Sequence, residues 1–493
     1  MTDEIERTLA RLAIDAPVVS FGPKDEAEVT IMTLLKNPDV SEADKRGALV
    51  EEILHRLHLA TLEDTGEILY YKAGVYVPGG EQRIKAELQT IAGFELTNHM
   101  RCEVLETIRN STYQARSEFD GDPWIINLQN GLYSIKTGEF APHSWAHLSM
   151  TQLPIEYEPE ATCRSIIEFL YDIVQDPRDV PLILEYMGYC LLANKDLQKE
   201  LVLTGPPDSG KSVLLFLMTA IFGSKNVSNV TMQQLSSNRF ALAQLVGKIC
   251  NIYADISHAR LEDIERFKAI ATADEVEAEK KGMQLFKFKP RAKLVYSANI
   301  LPKPPITVDD SFYRRWMIIQ CALREKHYFS GKAVVRDPKL LEKLCSPENL
   351  SGLLNLVVIS ARRLVQKQRF CKAATTDQTR ELYDRLSNPV QLWIETCLDV
   401  DGEAELPIEV GYRNYVEFCR ERKIGVTTKE WLGKALGELG FVPEQRGTGK
   451  NKKRVWVGLG TRNPPFPSLE NKQTLLVEQG KETLRVPTEE AQA

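Results

Sequence analysis

The sequence predicts an α/β protein organised around a parallel sheet, with an α+β domain before it and a small helical unit after it. Three observations lead there. Short apolar strands at 201–205, 249–253 and 294–298 alternate with helical segments, the pattern of a parallel sheet whose crossovers are helices. The first of these strands runs straight into a glycine-containing loop and then an apolar helix. The length of 493 residues exceeds one hydrophobic core, and at about 150 residues per domain it corresponds to roughly three.

The elements follow in order. Residues 1–60 read as helical, with Ile5, Leu9 and Leu12 and then Ile53, Leu54 and Leu57 at helix spacing. Residues 61–160 form the α+β domain. Within it, EILYYKAGVYVPGGEQRI holds two short β-branched and aromatic runs punctuated by Gly74 and Pro78-Gly79-Gly80. PWIINLQNGLYSIKTGEFAPH carries an Asn130-Gly131 turn, a hairpin signal. Residues 161–199 are a helical connector with Ile166, Ile167, Leu170 and Ile173 on one face. Residues 200–330 make the α/β core, 331–387 are helical, and Asn388-Pro389 opens a unit over 388–460 that ends in a basic turn and the strand RVWVGLG. The polar tail 461–493, with NPPFP, is expected to be disordered.

Composition excludes several classes. Hydrophobic residues at 43% and charged residues at 26% are a globular balance, so disorder is not the main state. With 62 Lys and Arg against 68 Asp and Glu the net charge is −6, so any contact with nucleic acid is local rather than a bulk positive coat. The best apolar run, Leu353 to Ala361, falls well short of the roughly 18 residues of a membrane helix. The start, MTDEIERTLARL, is acidic and amphipathic, unlike a signal peptide. Nine scattered cysteines without a Cys-x-x-Cys pair are expected to be reduced, buried or half-buried thiols, and a cytoplasmic location follows.

The chemistry starts at Gly205-Pro206-Pro207-Asp208-Ser209-Gly210-Lys211-Ser212, a G-x-x-x-x-G-K-[ST] loop between a strand and a helix. Such a loop binds triphosphate because its amides, here from Asp208 to Ser212, converge on the β-phosphate beside a helix N-terminus. Pro206 and Pro207 have no amide hydrogen and stiffen the loop. Lys211 is expected to pair with the β- and γ-phosphates of ATP, and the Ser212 hydroxyl to ligate Mg²⁺. Asp255 follows the strand Asn251-Ile252-Tyr253-Ala254, at the carboxyl edge of the sheet where the Mg²⁺ of such sites lies. In isolation it equally fits an exposed loop aspartate; the P-loop favours the metal-binding acid. Asn299, ending KLVYSAN, places an amide able to orient water beside the γ-phosphate, or is a turn former. Arg314 and Arg315 in SFYRRW present guanidinium groups that stabilise a transferring phosphoryl group from a neighbouring subunit, or form surface ion pairs.

Two basic features remain. DEVEAEKKGMQLFKFKPRAK reads as two strands joined at Lys280-Lys281-Gly282, with Lys287, Lys289, Arg291 and Lys293 on or after the return strand. A lysine-tipped hairpin grips phosphates without reading sequence; the alternative is a solvated turn. From Arg413 to Arg454 there are eleven Lys and Arg against five acids, a local excess of six in an acidic protein. Two helices followed by QRGTGKNKKRVWVGLG read as a winged helix whose wing carries Arg446, Lys450, Lys452, Lys453 and Arg454, binding DNA or docking a subunit. Asp120-Gly121-Asp122, an Asp-x-Asp pair of the kind that holds two metals in nucleotidyl transferases, precedes Pro123 without a strand and reads as a turn. His143 has no second ligand at metal spacing and reads as structural.

The order of P-loop, Asp255, basic hairpin, Ser-Ala-Asn299 with Leu301-Pro302, and Arg-Arg pair resembles the superfamily 3 helicases, and more closely the helicase portion of poxvirus-type and phage or plasmid primase-helicases. AEKKG…FKFKPRAKLVYSANILP is the most family-specific text, INLQNGLYSIKTGEFAPHS and LPIEYEPEATC resemble the preceding domain, and the likeness covers about residues 60 to 460. It implies an AAA+-like ATPase core working as a ring, a homo-hexamer, on single-stranded and forked DNA with 3′ to 5′ polarity. It also implies Lys211 and Ser212 on ATP and Mg²⁺, Asp255 as Walker B acid, Asn299 as sensor, Arg315 ahead of Arg314 as finger, and Lys280 and Lys281 as the hairpin tip on DNA. Many members have two adjacent acids where this chain has Ala254-Asp255, which leaves the general base open. About 60 residues before the resemblance cannot hold a primase domain, so a separate primase or polymerase is an expected partner. The alternatives are an origin-binding initiator with an assembly ATPase and a bifunctional primase-helicase.

Overall fold

In the computed structural model, residues 26–261, 264–279, 285–305, 308–322, 326–335, 337–422, 426–446 and 453–462 are described. They divide into two compact units, one of 26–121 with 144–150 and the other of 122–143 with 151 onward. Both contain helices and sheets, and the second is built on a parallel sheet.

In the first unit the helical start yields α1 (Glu26–Lys36) and α2 (Glu42–Arg56), while Ile5, Leu9 and Leu12 lie outside the described residues. Ser41 caps α2 by accepting the Asp44 amide, and the chain enters β1 (Leu59–Leu62) directly after it. The two aromatic runs are β2 (Ile68–Lys72) and β3 (Val75–Pro78). Then come α3 (Gly80–Ala92), α4 (Asn98–Ser111) and β4 (Tyr113–Gln114), giving a sheet ordered β3-β2-β1-β4. Its core is the helix-spaced face of Leu49, Ile53, Ile84, Leu88, Ile91, Val104 and Ile108.

The second unit begins inside the stretch expected to be a single α+β domain. Here β5 (Ile125–Leu128), β6 (Gly131–Ser134) and β7 (Phe140–Ala141) form an antiparallel sheet. Ile126, Leu128 and Tyr133 are buried in one cluster with Ile166, Leu170 and Leu201, so the hairpin folds with the segment that follows it. The turn is shifted by one residue: Leu128 pairs with Gly131, leaving Gln129-Asn130 as the connection. A Cβ on Gly131 would stand 2.5 Å from the Ala141 carbonyl oxygen, so this glycine serves the approach of β7.

The helical connector is α5 (Arg164–Ile173) and α6 (Asp179–Leu191). After it come β8 (Glu200–Thr204), α7 (Lys211–Phe222), β9 (Val227–Ser228), α8 (Met232–Ser237), β10 (Cys250–Tyr253), α9 (Glu265–Thr272), the antiparallel pair β11 (Val276–Ala278) and β12 (Phe286–Phe288), β13 (Lys293–Ala298) and β14 (Trp316–Gln320). Five strands make one sheet, ordered β14-β8-β13-β10-β9, and every neighbouring pair is parallel. β8 and β13 are buried at every position, the continuous apolar signature of a sheet covered on both faces. Helices α10 (Pro347–Lys367) and α11 (Thr376–Ser387) follow.

The end of the unit runs α12 (Pro389–Cys397), β15 (Leu398–Pro407), α13 (Ile408–Glu421), α14 (Lys429–Glu438), β16 (Pro443–Arg446) and β17 (Lys453–Thr461), with the sheet ordered β15-β17-β16. Trp393, Tyr415, Phe418, Leu432, Leu436 and Trp456 form its own core, and the Trp393 indole donates to Asn414 Oδ1 at 2.7 Å. All nine cysteines are free, and two, Cys102 and Cys371, are exposed rather than buried. Among the described residues no helix is long and apolar enough to cross a membrane.

Candidate functional site

β8 is anchored at its amino end and opens into the P-loop at its carboxyl end. Glu200 is fully buried and accepts from Lys195 Nζ at 2.8 Å, while the same ammonium donates to the Ile270 and Ala292 carbonyls at 2.9 and 2.7 Å. This ion pair ties the first residue of β8 to the end of α9 and the approach to β13.

At the other end the loop runs from Gly205 to the first turn of α7. Asp208 and Gly210 have left-handed backbones (φ 60° and 83°), the alternation that turns successive N–H groups toward one point. No side chain caps α7, so its first amide hydrogens are left for an anion. The walls are close. A Cβ on Gly205 would overlap the Cys321 carbonyl at the exit of β14, and one on Gly210 would overlap Ile173 Cγ2 at the end of α5.

Lys211 Nζ donates to the Gly205 and Pro206 carbonyls at 2.9 and 2.7 Å and to Asn299 Oδ1 at 3.1 Å. The fold thus brings together Lys211 and Asn299, two residues named from separate motifs, through the neighbouring parallel strands β8 and β13. Burial holds the Lys211 ammonium below its ordinary pKa; Cys321 and Asp255 act to raise it, and the Arg422 charge to lower it. Burial in turn pushes the Cys321 thiol up to about 12, so it stays protonated. Asp255 is exposed just beyond β10 with φ 51°, and its amide donates to Ser297 Oγ at 3.1 Å. Ser212 is exposed on the first turn of α7. Cys321 and Ile173 carry no motif, and only the fold reveals them beside the loop.

The arginine pair lies elsewhere. Glu200 N donates to the Arg315 carbonyl, so both arginines sit at the amino ends of the strands, about 17 Å along β8 from the P-loop. Arg315 is buried, with Nη1 donating to the Ser311 carbonyl, whereas Arg314 is exposed. Arg315, the member of the pair preferred from the sequence, is thus held within its own chain, and Arg314 is the exposed one.

Among the basic features, β11 and β12 pair as expected, but Lys280 and Lys281 lie outside the described residues. Lys287 is exposed and approaches Glu275 and Glu277 at 3.8 and 4.0 Å. Lys293 is not on this surface: it is buried in β13 with Nζ donating to the Leu192 carbonyl. Arg446 pairs with Glu405 and Glu444, Lys453 and Arg454 are exposed, and Lys450 and Lys452 lie outside the described residues. Asp120 accepts the Ser149 hydroxyl at 2.6 Å, Asp122 accepts the Trp124 amide at 2.9 Å, and His143 Nε2 donates to the Leu128 carbonyl at 2.8 Å. No group of three or more His, Cys, Asp or Glu side chains is placed to hold a metal among the described residues.

Comparison with known proteins matches two stretches of the chain, the first of which crosses the boundary between the two compact units. Residues 41–175 match the family described as D5 N terminal like. Residues 203–315, from β8 to the arginine pair, match a family of unknown function (DUF5906). Among solved structures, the A-form apo C-terminal region of NrS-1 (305–718) is similar at TM-score 0.46 and 12% identity, over 83% of this chain and 98% of that one. A second apo structure of the same region gives TM-score 0.46 at 11% identity over the same shares.

Proposed function

We propose that the chain is an ATP-driven DNA helicase of the superfamily 3 type, serving replication of a virus, phage or plasmid-like element as a ring, a homo-hexamer. One observation carries this reading: the Lys211 ammonium and the Asn299 amide meet at the mouth of an uncapped P-loop helix, on adjacent strands of a parallel sheet. A buried cation held by carbonyls and an amide, among free amides, is a site for a polyanion. The residues fit ATP and Mg²⁺: the glycine cradle leaves space a Cβ would fill, and Ser212 and Asp255 stand exposed as the hard oxygen donors Mg²⁺ takes. Bound there, the ion would neutralise phosphate charge. Lys211 would hold the β- and γ-phosphates, Asn299 would orient the attacking water, and Arg314 of one subunit would reach the next subunit's phosphates.

The order helix, strand, helix, helix, strand, strand over α12 to β17 supports a winged helix on an AAA+-like core, with Lys453 and Arg454 at the wing. In this reading Arg446, Lys450 and Lys452 act with them on DNA phosphates, and Lys280, Lys281 and Lys287 on the translocated strand. The D5 N terminal like match supports the replication setting. The test is unwinding of a forked duplex with 3′ and 5′ tails. The wild-type chain with ATP and Mg²⁺ should separate the strands, and Lys211→Ala should lose both unwinding and phosphate release by about 100-fold or more, the cost of removing one charge-stabilising donor. Turnover near wild type in Lys211→Ala would remove the assignment.

A further inference from the structure

The stretch 326–335, KHYFSGKAVV, follows β14 and carries no motif. It holds two lysines and a histidine and no acid, in a chain whose net charge is −6. Lys326 pairs with Ala333 in an antiparallel bridge, so the residues between them form a turn. Within it the His327 amide donates to the Lys332 carbonyl at 2.9 Å and the Gly331 amide to the His327 carbonyl at 3.0 Å. Gly331, with φ 64°, supplies the left-handed backbone that lets the chain reverse.

The turn is fixed to the end of α5. Asp172 accepts the Tyr328 amide through Oδ1 at 2.6 Å and the His327 ring through Oδ2. Tyr171 stacks on Tyr328, with ring centres 5.1 Å and planes 28° apart, and meets the Phe329 ring edge-on at 4.9 Å. The Tyr328 and Phe329 rings stand at 86° to each other, so neither covers the other's face. Both are open to solvent, Tyr328 at 43% and Phe329 at 57%. An exposed ring backed by a second ring is held in one orientation before any ligand arrives, which lowers the cost of binding. Lys326 and Lys332, one on each arm of the turn, are exposed, and among the described residues neither is paired with a carboxylate.

We propose that the 326–335 turn is a binding site for single-stranded nucleic acid, in which Tyr328 and Phe329 stack on bases and Lys326 and Lys332 meet the adjoining phosphates. Flat π faces beside unpaired cations are complementary to a polyanion that displays its bases. A duplex, whose bases stack on one another, offers no such face. The turn also has no acid to pair with the basic groups of a protein partner. The site uses no residue of the P-loop and none of β11 or β12, and it does not rest on the nucleotide reading.

The test is fluorescence anisotropy of the full chain, without nucleotide, against labelled oligothymidylate and oligouridylate of one length and against a blunt duplex. The single strand bound more tightly by the wild-type chain identifies the natural one. Phe329→Ala should weaken that binding about 5- to 100-fold, the range of one stacked base, and leave the duplex within about twofold. Phe329→Trp should keep the affinity and Phe329→Leu should not, because apolar contact without a π face does not replace stacking. Lys326→Ala with Lys332→Ala should lower the salt slope by about 1.4, two phosphates at about 0.7 each. Photocrosslinking of an iodouracil-substituted strand to the wild-type chain should label residues 326–335, a readout that needs no variant to fold. Single-strand affinity within about twofold of wild type in Phe329→Ala, an equal loss on the duplex, or no label in the turn overturns the proposal. So does a Phe329→Ala chain that keeps single-strand affinity but loses self-association or nucleotide binding, which would give the surface to a second copy or to the base of the nucleotide. With no nucleotide present, failure here leaves the P-loop reading standing, and phosphate release by Lys211→Ala tests that reading separately.

Discussion

Gly210→Ala separates the shape of the P-loop from its charge, because it leaves Lys211, Ser212 and every side-chain contact of the site in place. Two costs add. The backbone at Gly210 has φ 83° and ψ −1°, and an L-residue in the left-handed region costs roughly 1–2 kcal/mol. The new Cβ would also overlap Ile173 Cγ2 and stand 3.2 Å from Ile173 Cβ and 3.5 Å from Phe169 Cε2, an overpacking worth about 1–3 kcal/mol. The loop escapes both by leaving its native conformation, so the binding-competent fraction falls and apparent nucleotide affinity falls with it. A total of about 2–5 kcal/mol at about 1.4 kcal/mol per decade means roughly 30- to 4000-fold weaker binding. Fluorescent ADP titration reads this directly. Ile173→Ala in the same chain removes Cγ2 and should restore about the steric part, leaving roughly the tenfold due to φ. Binding within threefold of wild type in Gly210→Ala would refute the claim that this conformation forms the site. Failure of Ile173→Ala to restore any affinity would refute the part assigned to α5.

Three further outcomes follow from the same geometry. Chains carrying Arg314→Ala and chains carrying Lys211→Ala, each inactive alone, should regain phosphate release when mixed into common rings, since some interfaces then hold both groups; no recovery in demonstrably mixed rings argues against a finger acting between subunits. Arg315→Ala should instead act on stability, leaving the half-buried Ser311 carbonyl without its donor at a cost of about 1 kcal/mol seen in denaturant unfolding, with no recovery specific to mixing. Lys195→Met should destabilise the second unit by about 3–5 kcal/mol because it strands the buried Glu200 carboxylate, and Lys195→Met with Glu200→Met should recover most of it; a double variant no better than the single one would show that the pair is not what Glu200 requires.

The legible parts of this chain are those where one physical constraint acts on adjacent residues. A strand covered on both faces is apolar over most of its length, which is why Leu201–Leu203 and Leu294–Tyr296 stand out in the sequence. A phosphate loop needs glycines and a lysine at fixed spacing, so residues 205–212 were readable as a unit. β9 and β4, of two residues each, contain too little sequence to show a period, and both take their place from the strands beside them. Side-chain burial of long cations was the other blind spot. Arg315, Lys195 and Lys293 resemble surface residues in composition, yet each is buried with a charged nitrogen donating to a backbone carbonyl, an arrangement only the fold reveals. The same ambiguity lies behind the preference for Arg315 over Arg314.

Distance along the chain hid the connection that matters most to an ATP-driven reading. Asn299 and Trp431 belong to different motifs, far apart in sequence, and nothing in either predicts that a short loop connects them. In the fold, the loop from Asn299 reaches Lys303 in four residues, and Lys303 lies over Trp431. Each link on that path is a specific contact: Lys211 to Asn299, Leu301 to Leu386, Pro302 to Tyr383, Lys303 to Trp431. A phosphate that draws Lys211 away from Asn299 therefore acts on the first residue of a short, tied loop, whose far end is held by the basic module. Contiguity of this kind does not measure coupling, which takes a second arrangement of the same contacts. It does mark the place to look for one: the five residues 299–303, the loop through which the module meets the end of β13.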